Sequence, residues 1–185
     1  MNWNTPYAAN RDYSQLSTAN LQRLLDLVGG PVFMQENGQP SSLDIGCGTG
    51  QLVRDLYHRG FRSCGIDISE IAVQIARRSS LYIDETAFIQ GDVLKSHFDR
   101  TFNLITCKYV YVFIAQKDAF LKRIQALLAS GGVFVVISPD PAYLPDSKQS
   151  IAVDSSTLLG TLSAYFNYVE ESRINDDFVF ICKIL

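Results

Sequence analysis

The sequence predicts a doubly wound α/β fold, a mostly parallel sheet between two layers of helices with an antiparallel last strand. Three observations predict it. Between Ser41 and Ser138, short apolar runs alternate with amphipathic stretches, and no proline interrupts them. At the head of that span, a strand over Ser41–Ile45 passes through Gly46-Cys47-Gly48-Thr49-Gly50 directly into a helix over 51–59. At the tail, strands over Tyr168–Ile174 and 178–185 are joined by Asn175-Asp176-Asp177 alone. That link is too short for a crossover, so the pair is antiparallel.

Taken in order, residues 1–16 mix Trp3, Tyr7 and Tyr13 with polar residues. Ser17 or Thr18 then caps a helix whose Leu21, Leu24, Leu25 and Val28 recur at helical spacing, and Gly29-Gly30-Pro31 ends it. After the first strand and the Gly-rich turn, Leu52, Val53, Leu56 and Tyr57 give the next helix its apolar face, and Gly60 stops it. A second strand follows over 63–68. Ser69 caps a helix lined by Ile71, Ala72, Ile75 and Ala76, and Arg77 and Arg78 suit the negative end of its dipole. Strands over 87–90 and 101–107 come next. The helix after them carries Phe120, Ile124, Leu127 and Leu128 up to Gly131-Gly132, and Val133 to Ile137 reads as a fifth, fully apolar strand. Three of the six prolines then fall in one loop, 139–145, and a helix over 155–166 turns Leu158, Leu159 and Leu162 inward.

With 185 residues, 47% hydrophobic and 19% charged, the chain has the composition of one folded soluble domain. A net charge of −3 with scattered basic residues disfavours a nucleic-acid partner. Cys47, Cys64, Cys107 and Cys182 have no metal-ligand or redox spacing. They read as buried free thiols in a reducing compartment. The N-terminus has neither the basic segment nor the apolar run of a signal peptide, and no apolar stretch approaches the roughly 20 residues that span a bilayer. These points predict a cytoplasmic protein with no metal and no membrane association.

The chemistry concentrates at strand ends, because loops after parallel strands gather on one edge of the sheet, where ligands bind. The Gly-x-Gly-x-Gly turn lets backbone approach a ligand closely. A dinucleotide fingerprint needs its third glycine at position 51, which is Gln. That difference disfavours NAD. Asp67 ends the second strand about 20 residues beyond the turn, where acids that bind a ribose diol are found. Gln90-Gly91-Asp92-Val93 closes the third strand with a side-chain acceptor and a backbone donor suited to an adenine edge.

Leu-Asp-Ile-Gly-Cys-Gly-Thr-Gly (43–50), Gly-Ile-Asp-Ile-Ser (65–69), Gln-Gly-Asp-Val-Leu (90–94) and Leu-Leu-Ala-Ser-Gly-Gly-Val-Phe-Val-Val (127–136) resemble the ordered motifs of class I S-adenosylmethionine (SAM)-dependent methyltransferases. The resemblance covers residues 17–138. It implies a seven-stranded sheet with the last strand antiparallel and one methyltransferase domain over 1–185. Within it, 1–30 form an N-terminal lid and helix, 41–138 the SAM-binding core, and 139–185 the acceptor-side loop, helix and hairpin. It further implies that Gly46, Cys47 and Gly48 approach the methionine and ribose portion of SAM. Asp44 holds the methionine amino group, Asp67 the ribose, Ile68 packs on the adenine, and Asp92 and Val93 read its edge. Cys107 and Lys108 line the methionine end through backbone atoms, and Tyr13 lies across the SAM carboxylate. Phe102-Asn103 and Ala129-Ser130-Gly131-Gly132 depart from the usual Phe-Asp and Lys-Pro-Gly-Gly without touching an implied contact.

The implied activity is methyl transfer from SAM to a small-molecule acceptor, leaving S-adenosylhomocysteine (SAH). The alternative is an inactive SAM- or SAH-binding module or regulatory subunit. No residue stands out as a catalytic base. His58 sits mid-helix, His97 follows the third strand, and Lys108, Tyr109 and Tyr111 lie nearer the acceptor, the two tyrosines sharing a face if the strand continues. No amino-methylating Asn-Pro-Pro-Tyr follows the fourth strand.

Overall fold

A computed structural model describes residues 2–9, 15–29, 38–151 and 153–184. Helix α1 (Asn4–Ala8) is followed by α2 (Thr18–Val28), where the Ser17 side chain accepts from the Asn20 N–H and Gly29 closes the helix at φ +81°. Strand β1 (Ser41–Ile45) leads into α3 (Gln51–Tyr57), β2 (Arg62–Asp67), α4 (Glu70–Arg78) and the short β3 (Phe88–Gln90). Then come β4 (Phe102–Lys108), α5 (Lys117–Leu127), β5 (Leu128–Pro139), α6 (Ser155–Ser163), β6 (Tyr168–Ile174) and β7 (Asp177–Lys183). The strands make one seven-stranded sheet in the order β3-β2-β1-β4-β5-β7-β6. β7 runs antiparallel to both β5 and β6, as the short link through Asn175 and Asp176 requires.

Alternation along the strands divides the core between the two faces. On β5, Phe134 and Val136 join Phe120, Ile124, Leu158 and Leu162 on the α5/α6 side. Val133, Val135 and Ile137 meet Leu21, Leu24, Leu52 and Leu56 on the α2/α3 side. A smaller cluster of Val53, Val73, Ala76 and Phe88 seats α4 against the β3 edge. All four cysteines are buried and free. Among the described residues no helix is long and apolar enough to cross a membrane.

Three local readings change. Leu128 opens β5 instead of closing the preceding helix, and Gly131-Gly132 lie inside that strand. The pairing steps from Phe102↔Leu128 to Leu104↔Val133, so extra residues bulge from β5 there. A Cβ on Gly132 would lie 2.8 Å from the Phe102 carbonyl oxygen, which explains a glycine at this point. On α4 the buried stripe is Ala72, Val73 and Ala76, with Ile71 and Ile75 only half-buried at its margins. Arg77 does more than complement a dipole: its Nε and Nη2 donate to the Phe88 carbonyl at 3.2 and 2.7 Å, tying the helix to the edge strand.

Gly50 is the residue on which the α3–α4 packing turns. It caps α3 at φ +80°, and an added Cβ would lie 2.6 Å from Phe88 Cε1 and 2.9 Å from Ala76 Cβ. Gly50→Ala therefore combines left-handed strain with overpacking and is expected to destabilise by about 2–4 kcal/mol. Urea unfolding measures it, and a loss below about 1 kcal/mol would contradict this account of the turn.

Candidate cofactor-binding crevice

Parallel pairing of β1 with β2 and β4, and of β2 with β3, brings four strand ends to one edge of the sheet. Between them and α1 lies a crevice of about 210 Å³. The Gly-rich turn forms its floor, and the peptides of Gly46 and Cys47 both donate to the Ile66 carbonyl, at 2.8 and 3.1 Å. The turn is thereby fixed to the adjacent strand. Gly46 is required less by open space than by a neighbour: a Cβ there would lie 2.2 Å from Val110 Cγ2.

Asp67, at the end of β2, is 7% exposed and bridges two backbone donors. Its Oδ2 accepts from the Gly48 N–H at 2.9 Å and its Oδ1 from the Ser69 N–H at 2.8 Å. Burial pushes its carboxyl above the ordinary value, and the two N–H groups pull against that rise. Ser69 caps α4 by accepting from Ala72 and donates in turn to Asn4 Oδ1 at 2.8 Å. Asp44, at 5% exposure, accepts from the Thr106 hydroxyl at 2.7 Å. Burial lifts its carboxyl from 3.8 to about 7 against the pull of that hydroxyl and of Lys108.

At the end of β3, Gly91 donates to the Asp67 carbonyl, Asp92 Oδ1 accepts from the Leu94 N–H at 3.0 Å, and Val93 is buried. Ile68 stands 53% exposed at the rim. Asp44, Gly46, Cys47, Gly48, Asp67, Ile68, Asp92, Val93 and Lys108 thus all reach one crevice. Cys107 does not. Its thiol is buried in the core beneath, and burial raises its pKa. Tyr13 lies outside the described residues.

The end beyond β4 differs most from the sequence reading. The strand stops at Lys108 and Tyr109 takes φ +59°, so Tyr109 and Tyr111 do not share a face. Tyr109 donates its hydroxyl to Asp177 Oδ2 at 2.5 Å, while Tyr111 enters a 3-10 turn and packs edge-to-face on Phe120 in the core. A left-handed aromatic residue costs about 1–3 kcal/mol, which the surrounding contacts must offset. Across the mouth, Trp3 meets Phe113 edge-to-face with ring centroids 4.7 Å apart, and buried Tyr7 brings its hydroxyl to 2.8 Å from where a Gly48 Cβ would stand. Trp3 and Tyr7 are one helical turn apart, a spacing the sequence displays. The link from Tyr109 to Asp177 crosses 68 residues and leaves no local signal. His58 pairs with the Tyr82 hydroxyl at 3.0 Å on the surface, and exposed His97 is outside the crevice lining.

Residues 37–172 match the methyltransferase domain family. Cypemycin N-terminal methyltransferase from Streptomyces sp is 34% identical over 104 residues, 54% of this chain but only 42% of that protein's length. An uncharacterized methyltransferase from Alkaliphilus oremlandii is 25% identical over 178 residues, 91% of this chain and 78% of the other. The plantazolicin methyltransferase BpumL, crystallised with a pentazolic desmethylPZN analog and SAH, shares the fold with a TM-score of 0.74. Its identity is 12%, over 98% of this chain and 91% of that one.

Asp44 gives the free protein a pH dependence. Its folded pKa, about 7, lies above the unfolded value of 3.8, so the folded chain holds the proton more tightly. The contribution is present in full below about pH 4 and is lost as pH rises towards 7. Unfolding free energies at pH 5 and pH 8 are expected to differ less in Asp44→Asn than in wild type, with the variant more stable at pH 8. Equal slopes would place Asp44 elsewhere.

Proposed function

Because the chain belongs to the methyltransferase-domain family of class I, SAM-dependent enzymes, we propose that it transfers a methyl group from SAM to a small-molecule acceptor, acting as one domain. The observation that carries the reading is the delivery of Asp44, Asp67 and Asp92 from three neighbouring strand ends into one crevice.

The donor groups suit the three parts of SAM. Asp44 is a buried carboxylate whose hydrogen-bond partner is the neutral Thr106 hydroxyl, and a cationic ammonium is the partner that would let it ionise. Each Asp67 oxygen spends one lone pair on a backbone N–H and keeps another for a hydroxyl, as a cis-diol requires. Ile68 offers an exposed apolar surface beside it, and Asp92 with the Val93 peptide offers an acceptor and a donor to a purine edge. Lys108 closes the methionine end, with Cys107 supporting it from below.

SAM supplies a methyl group already activated on a sulfonium. The protein's part is orientation and exclusion of water: the acceptor atom must lie in line with that methyl, which places the burden on shape. Trp3, Val110, Phe113 and Ile114 make the walls apolar and partly aromatic, which favours an acceptor with an apolar or flat body. The net charge of −3 speaks against a nucleic-acid acceptor. Four buried thiols without a disulfide agree with a cytoplasmic setting.

Calorimetry with SAH and NADH tests the cofactor. SAH is expected to bind and NADH to fail, and Asp67→Ala is expected to weaken SAH by about 10- to 100-fold, the scale of lost hydrogen bonds to a charged group. Incubation with methyl-tritiated SAM and fractionated metabolite pools tests the reaction. Label in a small organic product supports the reading. Label confined to protein, or SAH binding without any transfer, overturns the acceptor or the activity respectively.

A further inference from the structure

Tyr109 and Asn175 are the non-glycine residues at positive φ among the described residues. Asn175 occupies a hairpin turn, where asparagine tolerates that conformation. Tyr109 has no such excuse: a bulky side chain at φ +59° needs surroundings that over-determine it. The surroundings are specific. Its N–H donates to the Ile137 carbonyl at 2.8 Å, extending the β4–β5 ladder by one bond. Its ring packs on the apolar cluster shared by α2 and β7, with Lys108 Nζ 3.7 Å from the ring centroid. Its hydroxyl donates to Asp177 Oδ2 at 2.5 Å.

Asp177 opens β7 opposite Pro139 and is half-buried, yet it is absent from the crevice lining. The β6–β7 hairpin that carries it is itself anchored. Asp140 donates its N–H to the Asp176 carbonyl at 3.1 Å and accepts from Arg173 Nη2 at 2.7 Å. On the other side, the turn at Tyr109 delivers Val110 onto Gly46, where no Cβ could fit, and Phe113 to Trp3. A rigid hairpin thus grips, through one phenol, the turn that shapes the crevice wall.

We infer that Asp177 is a positioning residue. Through the Tyr109 hydroxyl it holds the left-handed turn after β4, and thereby seats Val110 against the Gly46 peptide where the amino-acid arm of the cofactor lies. The inference rests on the SAM reading above. It concerns the amino-acid arm and leaves the adenosine contacts of Asp67 and Asp92 untouched.

The test compares two probes by calorimetry: SAH, and 5′-methylthioadenosine, which keeps the nucleoside and lacks the amino-acid arm. Asp177→Ala and Tyr109→Phe are each expected to weaken SAH by about tenfold, with methylthioadenosine unchanged within about twofold. Asp177→Asn keeps an acceptor for the phenol and is expected to bind SAH nearly as wild type. Adding Tyr109→Gly to Asp177→Ala is expected to restore most of the lost SAH affinity, because glycine takes the left-handed conformation without a brace. Tyr109→Phe removes one oxygen atom and reads the same bond should Asp177→Ala fail to fold. Unchanged SAH affinity in Tyr109→Phe, equal loss of both probes, or a glycine variant without recovery each overturns the inference. A folded wild-type protein that binds neither probe would instead overturn the cofactor reading, and this inference with it.

Discussion

The bridge made by the Asp67 carboxylate is the constraint on which the rest of the crevice depends. A buried carboxylate must be given donors or surrender its charge. Asp67 takes one from Gly48 in the turn after β1 and one from Ser69 at the start of α4. The same residue's carbonyl receives the Gly91 N–H from the end of β3. Three loops are therefore strung on one side chain and its peptide. Their relative placement is a by-product of satisfying a charge, which is how three separate turns come to border one crevice.

Glycines in the motif serve interior packing as much as ligand approach. Gly46 yields to Val110, Gly50 to Phe88 and Ala76, and Gly65 to the Cys47 side chain, whose Cβ would lie 2.6 Å from an added one. Each absent methyl lets two secondary-structure elements close on one another at the strand ends. An added Cβ at any of these three glycines would collide with a neighbour, which leaves the turns beneath the crevice little room to shift.

Most of the sheet was legible in the sequence because its strands obey local rules. β1 was read to the residue, with polar Ser41 before a buried run and glycine after it. Ser17 and Ser69 cap their helices as their spacing implied. The antiparallel hairpin followed from chain length alone. What escaped was set by tertiary contact. Gly131-Gly132 looks like the end of a helix until β4 is beside it, when it becomes a bulge in a longer strand. The shared face of Tyr109 and Tyr111 held only if the strand ran on past its expected end at 107; instead the chain turns after Lys108, where the Tyr109 hydroxyl donates to Asp177. Cys107 was expected at the methionine end through its backbone, and the pleat turns its thiol into the core.

Helix α1 is fastened on both banks of the crevice. Asn4 accepts from Ser69 and, at 3.4 Å, from the Ile71 N–H, while Trp3 on the same segment abuts Phe113. The space they border is a half-open crevice of about 210 Å³. Two contacts from one short segment therefore set how wide the mouth stands: the hydroxyl that starts α4 holds one side and a pair of aromatic rings the other.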